Sequence, residues 1–158
     1  MNFFKQKLIL PLKLQLTQGT GAHELALTCA VGVAFGAFPL LGTTTLLCVF
    51  FGAILKLNHP ILQIINYLMS PLQLVLIPIW LKLGALITGT PTIEISPLKI
   101  VAEFKKSLPA FFENYGLAGF HAVLAWAILI PWIAGTIYFV TYRIFLHWTA
   151  DNKNGFKR

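Results

Sequence analysis

The chain has 158 residues and a formal net charge of +7, and 57% of it is hydrophobic before its 12 glycines are counted. Soluble domains reach roughly 45–50% with glycine included, so this is a membrane composition. Its cations flank apolar runs instead of forming one patch, which fits helix anchoring and argues against nucleic acid as a partner.

In residues 2–18, Phe4, Leu8, Leu12 and Leu16 recur every four positions with Lys5, Lys7 and Lys13 between them. That spacing reads as a short helix on an anionic leaflet or as a basic arm that sets orientation, and Pro11 weakens the helical reading. Lys13 cuts the apolar stretch short and no small-residue cleavage site follows, so no cleaved signal peptide is expected.

Three stretches contain no Asp, Glu, Lys or Arg: Leu25–Leu55, Asn58–Leu81 and Asn114–Tyr142. Each exceeds the roughly 20 residues that cross a hydrocarbon core. The first, as one straight helix, would be about 46 Å long. One span overshoots and two fall short. Splitting it at Pro39–Leu41 leaves arms Leu25–Phe38 and Gly42–Leu55, the length of re-entrant segments. A helical hairpin at about 25–55 is therefore expected, with a single helix kinked at Pro39 as the competitor. Cys29 and Cys48 lie inside this run without metal or redox spacing and read as small buried hydrophobes.

A short link, Lys56-Leu57-Asn58-His59-Pro60, leads to a membrane helix at about 60–88 that carries Gln63, Asn66 and Gln73 near one face. Pro71 predicts a kink near Tyr67–Ser70. Thr88–Thr92 reads as a loop, Ser96-Pro97 as the start of an amphipathic surface helix at about 97–113, and 116–146 as the last membrane helix. Tyr138, Tyr142, Arg143, His147 and Trp148 form its aromatic and basic exit, and 147–158 reads as a tail. The whole is one membrane domain.

Charge counting favours the hairpin. It puts Lys5, Lys7, Lys13, Lys56, Arg143, Lys153, Lys157 and Arg158 on one side against Lys82, Lys99, Lys105 and Lys106, so both termini are expected in the cytoplasm.

The central motif is G-V-A-F-G-A-F-P-L-L-G-T-T-T, residues 32–45. Broken backbone at membrane depth must find partners in protein or line a cavity. Pro39, Gly42, Thr43, Thr44 and Thr45, with Asn66 and Gln73 opposite, are the candidate ligand site, because a half-helix starting at Gly42 and Thr43 offers free amides to an anionic lipid or small anion. The alternative is that these groups cap the half-helix or bond across to another segment. Gly32 and Gly36 form G-x-x-x-G, a close-packing device that also leaves room for a homo-oligomer. His23, Glu24 and His121 belong to no spaced ligand or nucleophile set, so no catalytic residue, metal or cofactor is expected; a proton relay at His23 and Glu24 would matter only in a coupled transporter.

The run Gly19–Gly84, through its blocks G-T-G-A-H-E-L-A-L (19–27), the 32–45 motif, Leu57-Asn58 and N-Y-L-M-S-P-L-Q-L (66–74), resembles the core, about 19–84, of a bacterial membrane family known as domain of unknown function 2062. The resemblance implies a small multi-pass inner-membrane protein, and fusion of some relatives to glycosyltransferase-like domains hints at lipid-linked sugar metabolism. Ala22 departs from the proline that many relatives carry there. Two functions follow as expectations: a transport or lipid-handling module with an anion site at the broken helix, or a non-catalytic scaffold or assembly subunit packing through small-residue faces.

Overall fold

A computed structural model of the chain describes residues 21–90, 98, 102 and 105–155, with 108, 110–115 and 148–155 given by backbone course alone. Four helices are described: α1 (Ala22–Gly36), α2 (Thr44–Ile54), α3 (His59–Thr88) and α4 (Leu108–Gly155). The expected N-terminal arm lies outside the described residues, as do most of 97–107.

Small residues place α1 at the centre. It touches all three other helices, and its Ala26, Thr28, Ala30, Gly32, Ala34 and Gly36 are buried. Short side chains let neighbouring backbones come close, which is how helices associate where no hydrophobic force separates them from lipid. Gly32 lies under Ile65 and Leu62, and Gly36 under Met69 and Asn66, so both pack on α3.

At Pro39 the missing N–H and fixed φ stop α1, and the chain turns through residues 37–43. Gly42 completes the turn at φ 81, a left-handed conformation that glycine adopts without a Cβ clash. From there α2 returns beside α1: Phe35 stacks on Phe51 with centroids 4.5 Å apart, and Cys48, Leu57 and Leu62 pack with Leu27 and Val31. The two arms, 15 and 11 residues, are about 22 and 16 Å long.

Asn58 starts α3 by accepting the Ile61 N–H on its side-chain oxygen at 3.2 Å, with Pro60 in the first turn where its missing donor costs nothing. The helix then continues through Pro71 and Pro78 to Thr88. Ser70 Oγ donates to the Asn66 carbonyl at 3.3 Å in the turn that Pro71 opens. Gly84 seats α3 on α4, directly over the His121 carbonyl and the Ala122 amide.

Two expectations are corrected. The chain does not break at 114–116: residues 108–155 form one helix that absorbs the end of the expected surface helix and most of the expected tail. A lone Gly116 costs about 1 kcal/mol in a helix and cannot stop one without a proline or cap beside it. Helix α2 begins at Thr44, not at Gly42 or Thr43.

Helix α3 and Gly116–His147 of α4 are each long and apolar enough to cross a membrane, and only 22% and 11% of their most apolar windows are buried. Their outward faces carry Ile64, Leu68, Leu72, Val75, Ile79 and Leu86, and Ile128, Trp132, Phe139 and Ile144, all exposed. Exposed apolar stripes of this kind suit an interaction surface or a hydrocarbon surround.

Candidate functional site

The turn between α1 and α2 is the candidate site. Pro39 is buried at its apex, and ending a helix there strips carbonyl groups of their usual partners. Phe38 N bonds back to Phe35 O at 3.1 Å, a shorter loop than the α-helical one, which frees Ala34 O. Side chains of the two long helices take up the freed carbonyls. Trp126 Nε1 donates to Ala34 O at 3.0 Å, Trp80 Nε1 to Ala37 O at 2.9 Å, and Gln73 Nε2 to Phe38 O at 2.8 Å and Leu40 O at 3.3 Å. Trp80 and Gln73 are 4% and 5% exposed, so these bonds form away from solvent, where an unmet carbonyl is most costly.

The threonines turn inward. Thr43 Oγ1 donates to Leu40 O at 3.0 Å and makes no cap on α2. Thr44 is buried, and Thr45 Oγ1 accepts from Asn66 Nδ2 at 3.2 Å. Asn66, 1% exposed, also donates to Gln63 Oε1 at 3.5 Å. Two atoms of this group have no partner within the described residues, Gln63 Nε2 and Asn66 Oδ1. The count survives reorientation: if both amides are flipped, one donor and one acceptor still remain over.

Of the expected site residues, the structure therefore gathers Thr43 with Gln73, both on the Leu40 carbonyl, and Thr45 with Asn66, into two neighbouring clusters. Trp80, Trp126 and Gln63 complete them. The tryptophans escaped the sequence reading because an indole in an apolar span looks like packing, although its N–H demands an acceptor when buried.

The histidines stand apart. His23 Nδ1 lies 2.7 Å from Tyr138 Oη, and His121 Nδ1 lies 3.3 Å from Thr90 Oγ1, seventeen residues away along α4 and so about 25 Å distant. His23 and Glu24 do not meet His121. Among the described residues no cluster of His, Cys, Asp or Glu has the makings of a metal site.

Comparison with curated proteins and with solved structures gave no match. A family model matches residues 1–154, which extends the likeness well beyond the motif blocks of the first half. The chain belongs to the family described as an uncharacterized protein conserved in bacteria, DUF2062.

Proposed function

We propose that the chain is a non-catalytic scaffold of the bacterial inner membrane, built on a re-entrant helical hairpin fixed between two spanning helices. One observation carries this reading: the carbonyls freed at the break are taken by Gln73, Trp80 and Trp126. A break made to bind a ligand keeps polar groups free for it, whereas this one spends them on neighbouring helices. The return of α2 along α1 supports re-entry over a kinked single span, and both termini then lie on the cytoplasmic side with Lys56.

Transport or lipid handling is the second reading, favoured by the unmatched amide atoms of Gln63 and Asn66 beside the first turn of α2. An anion held so deep needs a cation as partner, and among the described residues no basic side chain bonds to Gln63 or Asn66.

The two readings separate in a thermal-shift measurement on purified protein with inorganic phosphate or acetate at millimolar concentration. A scaffold gives no shift in either salt beyond that of a chloride control. A ligand site gives a concentration-dependent rise, about 2.7 kcal/mol at a hundred times the dissociation constant, that the variant Thr43→Val/Thr44→Val/Thr45→Val abolishes. That second result would overturn the scaffold reading.

A further inference from the structure

We propose that the groove between α1, α2 and α4 binds one acyl chain of an anionic glycerophospholipid, with its headgroup at the Lys56 end. The inference rests on the membrane-embedded reading above. The groove has a volume of about 400 Å³ and is lined by Leu27, Ala30 and Phe35 of α1, Phe51 of α2, Leu55 just past it, and Gly135 and Tyr138 of α4, among others. A Cβ built on Gly135 meets nothing within 4 Å, so the floor there is open.

Size decides the occupant. A helix is at least about 10 Å across, and one turn of it would fill the groove, so a partner helix does not fit. A single hydrocarbon chain does, and hydrocarbon is the surrounding solvent at this depth.

Charge decides the headgroup. Leu55 is followed by Lys56, exposed and held at φ 53. Lys56 N bonds to Ala53 O at 3.3 Å and Leu57 N to Gly52 O at 2.9 Å, a helix ending that ordinarily places glycine where Lys56 stands. The chain thus accepts left-handed strain to hold a cation at the mouth, where it also meets the negative end of the α2 dipole. At the same end His23 meets Tyr138 of α4, His59 lies against Gly52 of α2, and Arg143 stands just past Tyr138 along α4, with Glu24 the acid beside His23. The His23–Tyr138 pair and the Tyr138–Tyr142 stack mark the same end as interfacial.

The test places the full chain in nanodiscs of equal phosphatidylglycerol and phosphatidylcholine, releases it into detergent and counts retained lipid by native mass spectrometry. One phosphatidylglycerol should stay with the wild-type chain. Gly135→Leu, which adds bulk at a position where a Cβ meets no neighbour, should retain about ten-fold less lipid. Lys56→Gly should keep a lipid but lose the preference for phosphatidylglycerol, while melting no lower than wild type because glycine relieves the strain. Lys56→Asn, which also tolerates left-handed backbone, repeats the charge test. Equal retention in wild type and Gly135→Leu, or an unchanged preference in both Lys56 variants, would overturn the proposal. Failure of the wild-type chain to enter nanodiscs would show up separately, and would overturn the membrane reading and this inference together.

Discussion

Among the described glycines, Gly84→Ala is expected to be the most damaging added methyl, lowering stability by about 3 kcal/mol, the upper end of the usual cost of overpacking. The new Cβ would run into the His121 carbonyl and the Ala122 amide, both backbone atoms of α4. Backbone cannot rotate aside, so the two long helices must separate. Gly36→Ala meets Met69 Cβ at 2.6 Å and Cγ at 3.0 Å instead; rotation moves the Cγ, so a single fixed atom stands in the way where Gly84→Ala meets three. Gly119 is the control, since its nearest neighbour is Leu40 Cδ2 at 3.7 Å and an alanine fits. Thermal or denaturant unfolding in detergent should rank the three variants in that order, Gly84→Ala lowest. If Gly84→Ala melts with Gly119→Ala, the α3–α4 contact is not as close as described.

Gln73→Leu is the second large effect, with an expected cost of about 2–4 kcal/mol. The amide bonds both Phe38 O and Leu40 O. Leu40 O keeps the Thr43 hydroxyl, but Phe38 O is left without a partner in an apolar setting, at about 1–3 kcal/mol plus the lost bonds. Gln73→Glu should be no milder, since it trades the donor for a buried charge. Trp80→Phe releases Ala37 O alone and should cost less. Amide hydrogen exchange gives the sharper readout: Gln73→Leu should speed exchange in residues 37–47 while α4 stays protected. Uniform loss of protection along the chain would mean that Gln73 supports the whole bundle and not the turn.

Much of this architecture is written locally. Pro39 and Gly42 announce a break because one lacks a donor and the other tolerates positive φ, and charge-free runs announce spans because lipid tolerates few charges. The Asn66 and Gln73 amides are conspicuous for the same reason. What the sequence conceals is anything decided by a partner distant along the chain. Nothing around Gly84 says that His121 will lie against it, and nothing marks Trp80 and Trp126 as donors to a turn some forty and ninety residues earlier. The Lys56 conformation is equally hidden, because lysine is not the residue that advertises a left-handed helix ending. Asn114-Tyr115-Gly116 misleads in the other direction: it has the composition of a boundary, yet nothing in it removes a hydrogen bond, and the helix runs on.

Re-entry of the hairpin is the central claim, and one-sided labelling tests it most directly. In a background with Cys29→Ala and Cys48→Ala, single cysteines replace Gly21, Lys56 and Lys82, each exposed. A membrane-impermeant maleimide applied to oriented vesicles should label Gly21→Cys and Lys56→Cys from the same side and Lys82→Cys from the other. Labelling of Gly21→Cys and Lys56→Cys from opposite sides would make residues 22–54 a full crossing and contradict the account.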